Sequence, residues 1–384
     1  FLSKEIIRKA INRLTYLYIE YRIKMSETLN KKIINQTKTE QIKIPENQLQ
    51  KLNRFIEKNL QNRKNGTNYN LLYKISETTK RKIKINNRQT KKITTTSSKE
   101  QTKNITLEFF KELDQELYEK SKNIIEGKSN INLSMYKLEE NEELSITKNN
   151  KMPIHTKTPC TYSKNGETAI YIPCKGTIED IYALVHEISH TFDLVPNDNS
   201  TRNMLGEVTP YCFEAMLGKY LIKKGIATEE DTINIEKQTN ISQYDDGVET
   251  FTKLELMKIK EHQEITQDNI SEIQKGYELT NRQISYILRR LAKSEPNVDY
   301  KARYMIAQLI YPHYIEQYEQ NPEKAIKTLK QYFEQIKANK LKDSLRILGI
   351  NPNIDSIQTL IETTNKRIKK LENKRTFNKE EVEI

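Results

Sequence analysis

The chain has three cysteines in 384 residues and no tryptophan. Cys160, Cys174 and Cys212 lack the short spacings of a cysteine metal motif. That excludes a disulfide framework and reads as ordinary buried thiols, so a reducing, cytoplasmic setting is expected. Long hydrophobic runs are missing too: no stretch approaches the roughly 18 apolar residues of a membrane span, and no signal-peptide pattern is visible. The chain opens on Phe1, which leaves room for an upstream segment.

What is present begins with charge. Hydrophobic residues make up 35% and charged residues 30%, enough to build a real core and to hold two domains. Residues 1–100 hold 24 Lys+Arg against 8 Asp+Glu, and the remaining 284 hold 40 against 44, so the whole +12 excess is N-terminal. Part of it is compositional bias, since Lys, Asn and Ile are abundant together. The densest stretch, Lys80 to Lys92, has the charge to meet phosphates or an anionic membrane surface. It has no nucleic-acid-binding fingerprint and no interleaved aromatic platform, so a solvated basic face is the favoured reading. The run Thr94-Thr95-Thr96-Ser97-Ser98 reads as a linker.

Beyond it the apolar spacing is helical. A helix is expected from Ile105 to Glu126, closed by Gly127. Asn281 to Lys293 repeats Ile284, Ile287, Leu288 and Leu291. Asn321-Pro322 stands in N-cap and first-position order before the stripe Ile326, Leu329, Phe333 and Ile336, and Gly349 closes the helix after that one. Thr168–Ile172 is rich in strand formers and follows a turn signal at Lys164-Asn165-Gly166.

Only five histidines occur, yet two of them form His186-Glu187-Ile188-Ser189-His190. On a helix, residues four apart share a face with Cβ atoms roughly 5–6 Å apart, so two imidazoles can share one metal ion. Zinc held by two histidines and a third ligand keeps an open position for water, and Glu187 stands beside the pair to take that water's proton. Thr177 and Asp180 are placed to form a capping box at the start of the helix. Ile181, Val185, Ile188 and Phe192 would form its buried stripe.

The run 166–190, GETAIYIPCKGTIEDIYALVHEISH, resembles the thimet oligopeptidase/oligoendopeptidase F family of zinc metallopeptidases, and the resemblance extends over roughly 106–365, including KLKDSLRILGINPN. It implies a mostly α, helical zincin-like metallopeptidase fold with a small β-sheet next to the active-site helix. It divides the chain into a basic, mainly helical region, 1–105, and a catalytic domain, 106–384. One zinc ion per chain, held by His186, His190 and Glu207, is implied, with Glu214 orienting a histidine; Glu207 and Glu214 are seven residues apart, close to two helical turns. Only the 16 residues 191–206 separate His190 from Glu207, and Pro210 follows three residues later, so the helix is expected to begin near Gly206 or Glu207. Asp193 and Cys212 are the alternatives to Glu207 as ligand.

In 300–314, YKARYMIAQLIYPHY, the resemblance makes Tyr304 the oxyanion donor and Tyr300 a substrate contact. The histidine usual before the first tyrosine is replaced by Ser294-Glu295-Pro296, and the glycine after the second by Ala307. Ile170 and Tyr171 are expected on an edge strand that pairs with substrate backbone. The implied activity is a zinc-dependent metalloendopeptidase acting on short or unstructured peptides, with Glu187 as general base. The alternatives are a zinc peptidase of another lineage and a non-catalytic homologue that binds through its basic N-terminal region.

Overall fold

The computed structural model describes residues 43–61, 68–79, 82–83, 85, 88–137, 158–164, 167–195, 200–291, 298–351 and 353–380. The chain forms two compact units: Phe1–Arg63 with Glu255–Pro296, and Lys64–Leu254 with Asn297–Ile384. The described residues are mostly helical with one three-stranded sheet.

In the first unit, Glu46–Gln61 (α1) is fastened by Asn53, which donates to Ile265 O at 2.9 Å and accepts from Ile265 N at 2.8 Å. A buried side-chain amide that closes both bonds to one peptide leaves no polar group unsatisfied there.

The second unit carries every residue expected at the site. It opens with Asn68–Thr79 (α2). Residues 94–98 are no free linker. Thr94 and Thr95 bond the Asp231 carboxylate, Thr96 bridges Thr177, and Ser98 closes a capping box with Gln101. The Asp231 carboxylate thus gives this irregular segment main-chain and hydroxyl partners that a strand ladder would otherwise supply.

The helix expected from 105 to 126 is two helices, Lys99–Leu113 (α3) and Gln115–Ile125 (α4), because Asp114 is extended at φ −166° and caps the second. Gly127 closes α4 at φ +69°, a conformation that favours glycine. Strands Ile131–Tyr136 (β1), Cys160–Lys164 (β2) and Glu167–Pro173 (β3) follow. The order is β1-β3-β2, with β1 parallel and β2 antiparallel to β3. The turn signal at 164–166 lies largely outside the described residues.

Glu179–Ser189 (α5) then lies against the sheet and α3. After Ser200–Leu205 (α6), Val208–Lys223 (α7) packs on α5. Glu229–Lys260 (α8) follows; the first unit also holds Gln267–Gly276 (α9) and Asn281–Leu291 (α10), and Ile284, Ile287 and Leu291 of α10 are buried as their spacing predicts.

Back in the second unit, Val298–Gln320 (α11) packs on α6 and α7. Pro322–Lys337 (α12) starts where Asn321 Oδ1 accepts from Lys324 N at 3.0 Å, and all four stripe residues are buried. Leu341–Ile347 (α13), followed by Gly349 at φ +77°, and Ile354–Glu380 (α14) finish the chain.

An aromatic cluster joins these helices. Phe110, Phe192 and Phe213 meet edge to face with centroids 5.5–5.6 Å apart, and Phe333 lies 5.9 Å from Phe192. Such pairs add about 0.5–1.5 kcal/mol each beyond area burial. Phe192 stands two residues after His190, so the cluster anchors the end of α5.

Candidate metal centre

Helix α5 presents its apolar stripe as expected: Ile181, Val185 and Ile188 are fully buried and Phe192 nearly so. The capping box is built differently. Thr177 Oγ1 accepts from Glu179 N at 3.3 Å, while Asp180 reaches further back and accepts from Lys175 N and Gly176 N, each at 2.8 Å. Gly176 stands at φ +78°, which brings its N–H within reach of that carboxylate.

His186 and His190 hold their ring centroids 4.9 Å apart. Glu207 precedes α7 as its N-cap, so Pro210 falls in the first turn, where its missing N–H costs nothing. One ligand atom from each of His186, His190 and Glu207 lies within 4.8 Å of the others, the one such group among the described residues. Nε2 of His186 is 3.3 Å from Glu207 Oε2, and Nε2 of His190 is 3.8 Å from Oε1. Asp193 is not part of the group; its carboxylate is taken by Arg202 Nε at 3.1 Å and Thr209 Oγ1 at 3.2 Å. Cys212 is fully buried, which pushes its thiol up, so it is no thiolate ligand.

Two neighbours complete the arrangement. Nδ1 of His186 meets Glu214 Oε1 at 2.6 Å, which fixes the ring and turns Nε2 toward Glu207. The Thr161 hydroxyl on β2 lies 2.8 Å from both the main-chain O and Oε2 of Glu187. Burial raises the Glu187 carboxyl to about 7, against the lowering effects of His186 and Thr161. Burial lowers His190, whereas for His186 the neighbouring carboxylates of Glu207 and Glu214 outweigh burial and raise it. Burial alone would raise Glu207 as well, yet the surrounding His190, Arg303 and His186 hold it far below the usual carboxylate range.

Two imidazole nitrogens and a carboxylate oxygen are the donor set that zinc takes with three protein ligands. The fit is supported by Glu207 Oε2, which is buried and makes no hydrogen bond. An acceptor left in that state costs about 1–3 kcal/mol unless something binds it.

Other expectations fare differently. Ile170 and Tyr171 are not on an edge: β3 is the middle strand, paired on both sides, with Ile170 fully buried and Tyr171 7% exposed. Their backbone bonds are already used within the sheet, so they cannot take a substrate strand. Tyr304 sits on α11 with its hydroxyl 3.4 Å from Nη2 of Arg303. Tyr300 belongs to α11 but its side chain lies outside the described residues, as do Ser294, Glu295 and Pro296.

Sequence reasoning missed Arg303, whose Nη2 lies 2.8 Å from Glu207 Oε1. It also missed Tyr211, whose ring centroid is 5.4 Å from that of His186, and Thr161. Arg303 had a signal, standing directly before Tyr304. Tyr211 follows Glu207 by one helical turn. Thr161 had none.

Solved structures of similar fold include two peptidases. One, described as a peptidase from Chlamydophila abortus, superposes with a TM-score of 0.50 at 13% identity, over 86% of this chain and 56% of that one. The other, described as an oligoendopeptidase F, gives 0.51 at 10% identity, over 86% and 59%. The chain therefore has the fold of helical zincin-like peptidases and spans less than three fifths of the length of these neighbours. No family model and no curated protein matches the sequence. Among the described residues no helix is long and apolar enough to cross a membrane.

Proposed function

We propose that the chain is a zinc-dependent metalloendopeptidase that hydrolyses short or unstructured peptides, its catalytic work done by those residues of 106–384 that belong to the second compact unit. The observation that carries this is the convergence of His186, His190 and Glu207 beside a buried Glu187. When bound to these three residues, zinc would lower the pKa of a water to about 7 and polarise the scissile carbonyl.

The chain's own residues supply the rest. Glu214 holds Nδ1 of His186 and so keeps Nε2 for the metal. Glu187, with Oε2 engaged by Thr161, takes the water's proton on Oε1 and passes it to the leaving amine. A carboxyl near 7 suits both halves of that task, being close enough to neutral pH to accept and to release. The Tyr304 hydroxyl donates a hydrogen bond to the oxyanion. For the substrate backbone, β2 offers an edge that carries no further strand among the described residues, and Thr161 ties β2 to Glu187. Main-chain pairing reads any sequence, so broad specificity is expected.

The test incubates the full chain with a quenched-fluorescent peptide library, with and without chelator and zinc. Cleavage should vanish with chelator and return with zinc. Glu187→Gln should keep the metal and lose about 10²–10⁴-fold in turnover, and Tyr304→Phe about 10²–10³-fold. One bound zinc with no cleavage of any peptide would replace this reading by that of a non-catalytic homologue.

A further inference from the structure

The charges around Glu207 do not cancel. Glu187 and Glu207 are buried, and Glu214 is bonded to His186. Among the described residues one permanent cation is in contact with Glu207: Arg303, with Nη2 at 2.8 Å from Oε1 and its guanidinium over the Tyr304 ring at 5.2 Å. The other guanidinium close by, Arg202, is engaged by the Asp193 carboxylate and by His190 O at 3.1 Å. Metal binding needs both imidazoles neutral, and the carboxylates of Glu207 and Glu214 then outnumber the Arg303 guanidinium, leaving negative charge for a divalent cation to meet.

We propose that Arg303 sets the metal affinity of this centre: it is the resident counter-cation of Glu207, holding the metal-free site together and opposing the incoming ion by charge repulsion. The inference rests on the metal-site reading above and deepens it.

Arginine stays charged at every accessible pH, so the pairing cannot be relieved by losing a proton. It touches the same carboxylate that the ion must use, and the repulsion acts on a doubly charged species at short range in a buried setting, where Coulomb terms are large. Its orienting effect works in the opposite sense, since the grip on Oε1 leaves Oε2 as the presented oxygen. Orientation does not rest on Arg303 alone, however: the Glu207 side chain, which makes no capping bond at the start of α7, is hemmed in by His186 Nε2 at 3.3 Å and His190 Nε2 at 3.8 Å. Repulsion therefore wins.

The experiment strips the full chain with chelator and titrates zinc and cobalt ions against a chromophoric competitor. Arg303→Gln should bind zinc about tenfold more tightly, about 1.4 kcal/mol, and should melt at a lower temperature when metal-free. Arg303→Lys should stay within about threefold of wild type because it keeps the charge. Unchanged or weaker binding by Arg303→Gln overturns the inference, as does tighter binding by Arg303→Lys equal to that of Arg303→Gln. If Arg303→Gln does not fold, the double variant Glu207→Gln/Arg303→Gln should fold and melt no lower than Glu207→Gln; a double variant that also fails makes the role one of packing and overturns the inference. Should wild type bind no zinc, or Glu207→Gln bind as tightly as wild type, the metal-site reading fails and takes this inference with it. Expected behaviour of those two proteins with no gain in Arg303→Gln sinks this inference alone.

Discussion

His186 and His190 face the same carboxylate yet titrate in opposite directions. His190 loses more by burial than it gains from Glu207, so it is neutral and ready to ligate at pH 7. His186, flanked by Glu207 and Glu214, is raised, so in the metal-free protein it holds a proton more readily than His190 does. Its stabilising effect on that form is full below the unfolded value of about 6.5 and is lost as pH rises through the folded one. Metal binding has the opposite slope, because a ligand must give up its proton. At neutral pH zinc binding should thus release protons from the site, measurable by calorimetry in two buffers of different ionisation enthalpy. No release would show that His186 is neutral before the metal arrives. Spacing made these two histidines legible in the sequence, since a helix alone decides which residues share a face, whereas Glu207 and Glu214 were singled out by the resemblance of their segment. Arg303 and Thr161 reach the site from other segments, and no periodicity within one segment can announce that.

Between residue and molecule, the break at Asp114 marks where apolar patterning misleads. Leu113 and Leu117 continue the stripe across it, so the pattern reads as one helix, whereas the backbone turns extended and starts again. The cause is capping chemistry: Asp114 Oδ1 accepts from Glu116 N at 2.9 Å and Leu117 N at 3.1 Å, and the carboxylate also meets Lys330 Nζ at 3.2 Å. Asp114→Ala should lower unfolding stability by about 1–2 kcal/mol in denaturant melts, most of it from the cap because the ion pair is part-exposed. Asp114→Asn should recover the greater part. An alanine variant as stable as wild type would mean that packing alone divides the two helices. The strand at β3 was misread for a related reason: composition identifies a strand but not its neighbours, and only the order β1-β3-β2 reveals that both its edges are taken.

Across the second unit, one polar strap connects distant parts to the metal centre. Asp231, in the first turn of α8, collects Thr94 and Thr95; Thr95 O accepts from Ile178 N at 3.1 Å, and Ser97 N donates to Gly176 O at 3.1 Å. The turn that launches α5, and with it His186, is thereby hung on α8 through residues that composition marked as linker. Burial raises the Asp231 carboxyl, but the hydroxyl and main-chain bonds of Thr94 and Thr95 outweigh it and the net effect is a lowered value. A depressed carboxylate stabilises the fold above its unfolded value of about 3.9 and ceases to do so as pH falls through the folded value. Asp231→Asn should therefore lose about 1–3 kcal/mol at pH 7, and its deficit against wild type should shrink once pH drops below about 4. Hydrogen exchange supplies the second readout: the amide of Ile178 should exchange faster in the variant at pH 7. A deficit that stays constant down to the acid transition would mean that the threonines bond the neutral amide as well as they bond the carboxylate, and that the strap owes nothing to charge.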